Sequence, residues 1–390
     1  MTHSRVRFRV NVLAIPILLL LPVVYIRMFM RRKYDEGDPT IIVIPQTTRI
    51  GDLVCTTPVF REIKTKYPKG KLIVAVGPKN EPIIRHNPLI DKIIIFEEKE
   101  YTDFFGPLRF FKNIRRERPD WGINVATSAM GTLMLLYALV PRRIKITKPE
   151  RPFSEWLTDW TNTFTIPYKT GERMPRLYLK ALAPLNIDMP IVIRKEVYTD
   201  PPSLKKAEDF LGERGMDTKD LIIGMSVTAG NEIKEWKPEN FGKLAQKLID
   251  TYNAKIVFIG SQNDENKIAK ANRVIGGKGI VATGSFKLHE VPSLMKFFDV
   301  FISADTGTIH IADALDIPLI DIVGPVDPTE QAPEGELRMV ITPPEPIKPT
   351  VFALRKAGDP KESRRAADAV SDTKVFDAFK KLYAMIPKRK

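Results

Sequence analysis

From Thr40 onward the chain alternates short apolar runs with amphipathic stretches. In the first half the runs are I-I-V-I-P at 41–45, L-I-V-A-V-G at 72–77, K-I-I-I-F at 92–96 and W-G-I-N-V-A at 121–126. The stretches between them predict a helix reaching about Tyr67, a second near 80–86 and a basic one ending at Arg118. Strand-length apolar runs separated by helix-period segments predict a parallel sheet wrapped by helices. Pro184, Pro190, Pro201 and Pro202 then mark a linker. The rhythm restarts with L-I-I-G-M-S-V at 221–227, a helix from about Pro238 to Thr251, K-I-V-F-I-G at 255–260 and a helix near 264–274. It continues with G-I-V-A-T at 279–283, D-V-F-I-S at 299–303, a short helix after Asp305 and L-I-D-I-V-G at 319–324. The reading is α/β, with two doubly wound domains at 40–190 and 200–345. After Gly335 proline and charge dominate until a helical pattern from about Arg364 to Met385, within a closing segment 360–390. That segment either braces the first domain or is a solvated tail. Ligands of doubly wound sheets bind at the carboxyl ends of strands, and two facing sheets place theirs in a cleft. Chemistry is therefore expected in strand-to-helix loops.

Residues 10–26, V-N-V-L-A-I-P-I-L-L-L-L-P-V-V-Y-I, form an apolar run of about 25 Å if helical, just short of the roughly 30 Å hydrocarbon core. Pro16 and Pro22 each remove a helix bond, so a kinked or re-entrant segment is as compatible as a straight span. The run ends in Tyr25-Ile26-Arg27 without the small-residue pattern of a cleaved signal, which predicts a retained anchor over 1–35. Basic residues flank both sides, with slightly more after the run, and place the folded part in the cytoplasm.

Composition refines this picture. With 390 residues, 43% of them hydrophobic and 28% charged, the chain has room for two ordinary cores. The net charge of +14 resembles a nucleic-acid signal until its distribution is read. Arg5, Arg7, Arg9, Arg27, Arg31, Arg32 and Lys33 stand among residues 1–33 without one acid, so half of the excess flanks the apolar run rather than lining a groove. No nucleic-acid partner is expected. The lone Cys55 excludes an internal disulfide. With His3, His86, His289 and His310 it makes no metal-ligand spacing.

Three loops carry candidate chemistry. In P-Q-T-T-R-I-G-D-L at 45–53, Asp52 stands at a helix start, either as a general base for an acceptor hydroxyl or as a complement to the helix dipole. In S-V-T-A-G-N-E-I-K-E-W-K-P-E-N-F at 226–241, Lys234 is placed to oppose charge on a leaving diphosphate, or is a solvated loop lysine; Trp236 and Phe241 read as packing residues. In S-A-D-T-G-T-I-H-I-A-D-A-L at 303–315, a strand runs straight into a helix at Asp305-Thr306-Gly307, a ready phosphate site, with His310 about a turn later. Walker A and G-x-G-x-x-G loops are absent from the sequence.

Taken in order, these loops resemble the ADP-heptose–lipopolysaccharide heptosyltransferase family across about residues 40–330. The matches are I-G-D-L-V-C-T-T-P-V-F-R-E-I followed by K-Y-P, then R-R-E-R-P-D-W-G-I-N-V-A, with Asn124 where an acid is frequent. K-E-W-K-P-E-N-F and A-D-T-G-T-I-H-I-A-D-A-L-D-I-P follow, ending in I-V-G-P. The resemblance implies a GT-B fold, two Rossmann-like domains facing a cleft, with an acceptor-side first domain and a nucleotide-sugar-binding second. It implies Asp52 as base, Lys234 on the donor phosphates, and Asp305, Thr306, Gly307 and His310 around the diphosphate and ribose, with Thr228 beside them. An acid after K-I-V-F-I-G would also meet the donor; Asp264 and Glu265 compete, and Glu265 is preferred. The family's reaction inverts the anomeric centre and needs no metal or other cofactor. The partners implied are a nucleotide-sugar donor such as ADP-heptose, a glycolipid acceptor of the lipopolysaccharide-core kind, and the inner (cytoplasmic) membrane. A retained anchor departs from the family's peripheral association. The exposed-looking basic positions Arg109, Lys112, Arg115, Arg116 and Arg118 face anionic lipid or simply solvent. Two competing readings are a GT-B nucleotide-sugar epimerase and a non-catalytic, nucleotide-sensing membrane scaffold.

Overall fold

The computed structural model describes residues 21–26, 37–45, 49–97, 106–217, 219–355 and 358–387. The chain divides into two compact units, one running to Glu81 with Asn87–Ile193, the other Arg194–Lys390 with Pro82–His86.

The first unit holds a six-stranded parallel sheet of β1 (Thr40–Ile44), β2 (Lys71–Val76), β3 (Lys92–Ile95), β4 (Trp121–Asn124), β5 (Arg142–Thr147) and β6 (Phe164–Pro167) in the order β3-β2-β1-β4-β5-β6. The second holds β7 (Ile222–Ser226), β8 (Lys255–Ile259), β9 (Ile280–Val281), β10 (Val300–Ala304), β11 (Leu319–Ile322) and β12 (Arg338–Ile341), ordered β9-β8-β7-β10-β11-β12 when read in the same sense. The two orders are identical once six is subtracted from each strand number. Each reverses direction at one place, between β1 and β4 and between β7 and β10, and that switch point opens a crevice at the strand ends where ligands bind. Ile41 pairs with Trp121 at the first and Met225 with Ile302 at the second.

Three strands lie beyond those expected: β5, β6 and β12. β5 reads R-R-I-K-I-T and is hidden from a hydrophobicity scan because one of its faces is charged yet buried. Ile144 and Ile146 point to one side, while Arg143 and Lys145 are almost wholly enclosed on the other. Burial lowers the Lys145 pKa, and the Asp159 carboxylate opposes that as its ion-pair partner. Arg143 is satisfied by carbonyls, its Nε donating to Thr161 at 3.0 Å.

The closing helical pattern resolves into two helices, Pro360–Asp368 and Asp372–Met385, the second capped by Ser371, whose Oγ accepts from Lys374 N at 3.2 Å. It packs into the second unit, where Val375, Ala378, Phe379 and Leu382 join Phe241, Leu244 and Leu248 in one apolar core. Of the apolar run 10–26, residues 10–20 lie outside the described residues; 21–26 are helical. Among the described residues no helix is long and apolar enough to cross a membrane.

Candidate active site

At the second unit's switch point, the loops after β7 and β10 supply neighbouring side chains. Thr228 is buried two residues beyond β7. The loop then forms a one-turn 3-10 helix, Glu232–Lys234, capped by the Asn231 side chain, which accepts from Ile233 N at 3.3 Å. Its far end is braced by Glu235, which accepts from Ala229 N at 3.3 Å and from Lys267 Nζ at 2.7 Å. Trp236 and Phe241 are packing residues as expected: both are fully buried, and the indole N–H donates to Val370 O at 2.8 Å. This bracing delivers the Lys234 ammonium to Asp305, Nζ to Oδ2 2.7 Å, with the lysine side chain 21% exposed and the aspartate 3%. Burial pushes the Asp305 carboxyl up, but the charge and hydrogen bond of Lys234, together with its other positive neighbours, outweigh it and hold the acid below its ordinary value.

Asp305 directly precedes the N-cap Thr306 of the helix Gly307–Ala314. Ile309 N donates to Thr306 O at 3.1 Å, but the Thr306 side chain makes no capping bond, so the amides of Gly307 and Thr308 are not capped by it. Asp305 Oδ1 and Thr308 Oγ1 are buried without a hydrogen-bond partner among the described residues. Uncapped amides, a lysine and orphaned oxygens in one place are the chemistry that receives an anionic, hydroxyl-bearing ligand.

His310 follows on the same helix and is buried. Lys195 Nζ lies 3.1 Å from its Nδ1 and 2.9 Å from Asp313 Oδ2. An ammonium only donates, so Nδ1 accepts and the imidazole proton sits on Nε2. Burial and then the Lys195 charge depress the His310 pKa to about 3, which keeps the ring neutral at physiological pH. Arg338 closes the network through Nε to Asp313 Oδ1 at 3.0 Å. Asp321, on β11 in register with Ser303, is fully enclosed, and neither carboxyl oxygen has a hydrogen-bond partner among the described residues. Burial and the nearby Asp305 charge raise its pKa well above the ordinary value, which favours its protonated form.

The sequence reading had passed over Lys195, Asp313 and Asp321. Asp321 was visible as the one acid in the buried run L-I-D-I-V, where an ionisable group needs a reason. Lys195, in a linker without periodicity, gave no signal.

Lys234, Asp305 and His310 are thus brought together around the start of the helix containing Thr306 and Gly307, with Thr228 at the adjacent strand end. Glu265 stands apart: it is exposed at the start of the helix Glu265–Val274. Its competitor Asp264 is engaged locally, Oδ2 accepting from both Ser261 N and Ser261 Oγ at 2.7 Å. Asp52 belongs to the first unit, in the first turn of the helix Ile50–Lys66 after β1. Its carboxylate is buried and lies 3.6 Å from Arg49 Nη1. Asn124 ends β4, where the resemblance called for an acid. Its Nδ2 donates to Ser128 O at 3.0 Å, a bond an ionised carboxylate does not make. Among the described residues no group of three or more His, Cys, Asp or Glu side chains lies close enough to hold a metal ion.

Two doubly wound sheets, with an ionic site at the switch point of the second, are the framework of a glycosyltransferase. The model of "Glycosyltransferase family 9 (heptosyltransferase)" matches residues 107–357, more than half of the chain. The chain belongs to glycosyltransferase family 9. Among curated relatives, lipopolysaccharide heptosyltransferase 3 of Escherichia coli is 26% identical over 289 residues, covering 71% of this chain and 81% of that protein. The fold matches a family 9 glycosyl transferase from Veillonella parvula with TM-score 0.76 at 19% identity, over 91% of this chain and 100% of the other. It also matches E. coli ADP-heptose lps heptosyltransferase II with TM-score 0.69 at 17% identity, over 88% and 98%.

Proposed function

We propose that the chain is an inverting heptosyltransferase of GT-B type, moving heptose from ADP-heptose to a lipopolysaccharide-core or other lipid-linked glycan at the cytoplasmic face of the inner membrane. The observation that carries this reading is the Lys234–Asp305 pair set against an uncapped helix N-terminus at the switch point of a family 9 chain. Heptose and its nucleotide are supported by the names of the relatives.

In this reading the first unit presents Asp52 to the acceptor and the second holds the donor. The acceptor oxygen attacks the anomeric carbon from the face opposite the diphosphate. As that C–O bond forms, the bond from the anomeric carbon to the phosphate oxygen breaks, its electron pair leaves with ADP, and the acceptor's proton passes to Asp52. Lys234 and the amides of Gly307 and Thr308 take up charge that grows on the diphosphate, so they act more strongly in the transition state than in the ground state. Thr228 and the Nε2–H of His310 add donors, and Asp305 orients Lys234. No cofactor is required. The epimerase and scaffold readings are less well supported, since relatives of family 9 are named as transferases.

The test is calorimetric titration of ADP, UDP, GDP and CDP into the full chain, repeated with Lys234→Ala and Asp305→Ala, followed by transfer from ADP-heptose to heptose-deficient lipopolysaccharide. ADP selectivity lost in both variants, with acceptor-dependent product of inverted anomeric configuration, is the expected result. A preference for UDP or GDP removes the heptose donor. Sugar released with its configuration changed and no acceptor present supports an epimerase, and absence of nucleotide binding removes the enzyme reading of this site.

A further inference from the structure

One layer of the first unit is built from three helices in lateral sequence: Gly106–Arg116, Ala129–Tyr137 and Phe153–Asp159. The middle one is buried along nearly its whole length. Leu21 and Val24 belong to the same apolar cluster as its Leu133 and Leu136, so helical residues 21–26 pack with this layer. What this layer turns outward is unusual for a protein surface. Val23, Tyr25 and Ile26 are 48%, 42% and 59% exposed, and Phe153, Trp156 and Trp160 are 65%, 60% and 56% exposed. Phe153 and Trp156 stack with centroids 5.9 Å apart, while Leu157, the residue after Trp156, packs inward.

Arg143 links the two segments beneath the surface. The Arg143 guanidinium lies 5.9 Å from the Tyr25 ring centroid, and its Nε bonds the carbonyl of Thr161, the neighbour of Trp160. On the other side of the middle helix, Gly106–Arg116 buries Phe110, Phe111 and Ile114 and exposes Arg109, Lys112, Arg115 and Arg116. Exposed tryptophan, tyrosine and phenylalanine beside a basic helix face fit a membrane–water boundary, where aromatic rings sit at headgroup level and cations meet anionic lipid. The covalent continuation points the same way: Ile26 ends the apolar run 10–26, whose flanks carry seven cations and no acid within residues 1–33.

We infer that Tyr25, Ile26, Phe153, Trp156 and Trp160 form a facet that inserts into the interface of an anionic bilayer and sets the first unit against it. This rests on the membrane-bound reading above and adds the surface that makes contact. A glycan projecting from that bilayer then meets the unit containing Asp52 in a fixed orientation.

The chain supplies its own probe, because of its four tryptophans Trp121 and Trp236 are buried and Trp156 and Trp160 are exposed. Full-length protein is mixed with phosphatidylethanolamine–phosphatidylglycerol vesicles carrying bromine on the acyl chain near the headgroup. Expected are sedimentation with the vesicles, a blue shift, and quenching that disappears in Trp156→Phe/Trp160→Phe. Phe153→Ser/Trp156→Ser/Trp160→Ser is expected to weaken vesicle binding by about tenfold or more without lowering the melting temperature. Vesicle-bound protein with unquenched emission overturns the facet while leaving attachment through residues 10–26 standing. Absence of vesicle binding overturns both. An emission shift that depends on protein concentration without lipid identifies a second copy as the occupant and overturns the lipid assignment.

Discussion

Lys234→Ala separates catalysis from stability at the candidate site. The Lys234 ammonium lies 2.7 Å from a carboxylate only 3% exposed, so removing it leaves Asp305 buried without its nearest counter-charge. Breaking a buried pair from one side costs about 3–5 kcal/mol. Because Lys234 is 21% exposed and Lys195 also acts on Asp305, roughly 2–3 kcal/mol is the better expectation. For a unit of this size that is a fall of roughly 4–12 °C in the second unit's melting transition. The loss has a pH signature. The folded pKa of Asp305 is depressed, so the pair's contribution is fully present above the ordinary value of 3.8 and is lost as pH falls through the lower folded value. Wild type and variant therefore differ most at neutral pH and converge in acid.

Catalysis has a different signature. If Lys234 opposes charge on the leaving diphosphate, its removal lowers kcat by about 10²–10³-fold. The discriminating variant is Lys234→Ala/Asp305→Asn, in which the buried charge is neutralised. Its melting temperature should recover most of the loss while kcat stays at the single-variant level. The assay is initial-rate transfer across donor concentrations, paired with scanning calorimetry. Recovery of both stability and rate, or a folded Lys234→Ala protein within about threefold of wild-type kcat, refutes the reasoning and makes Lys234 a structural counter-ion.

Asp52→Asn should lower kcat by about 10²–10⁴-fold while leaving ADP affinity by calorimetry unchanged, because it removes a base and no donor contact. The folded pKa of His310 is about 3 against an ordinary 6.5, so its protonation on unfolding erodes stability as pH falls from 6.5 toward 3, at about 1.4 kcal/mol per pH unit. His310→Gln should flatten that slope in melts collected across the range; an unchanged slope argues that His310 is charged in the folded state. Asp321 is the opposite case, an acid with a raised folded pKa, whose stability is full below 3.8 and declines as pH rises toward the raised value. Asp321→Asn should therefore melt higher than wild type as pH rises above 3.8 and converge with it in acid.

The strands whose residues are apolar on both faces were legible in the sequence, and β5, which buries two cations on one face, was not. β1, β2, β7, β8 and β10 announce themselves as unbroken runs. β5 does not, because Lys145 is enclosed only by virtue of Asp159, fourteen residues away, and pairwise satisfaction leaves no trace in a hydrophobicity scan. The same holds at the site. Asp305, Gly307 and Lys234 lie in loops placed by local rules, strand end followed by helix start, and motif order located them. Lys195 acts on His310 from 115 residues away, and only folding brings the two within 3.1 Å. The closing helices were legible as a pattern but not in placement, since an amphipathic stripe names a buried face without naming what buries it.

The missed residues also explain how the site holds its charge. Lys195, Lys234 and Arg338 stand against the enclosed carboxylates Asp305 and Asp313 and the exposed Asp316, which also pairs with Arg338 at 3.0 Å, while His310 stays neutral. Two acids on neighbouring strands thus diverge: burial raises the pKa of Asp305 but its cationic neighbours bring it below the ordinary value, while burial and the Asp305 charge push that of Asp321 well up. An ionised Asp321 would add a negative charge beside Asp305 where the helix N-terminus begins. Protonated, it adds no negative charge there, and the neutral His310 offers a donor rather than a second titrating charge. The buried acid on β11 therefore belongs to the same electrostatic unit as the loop residues, although it has no direct contact with the donor to perform.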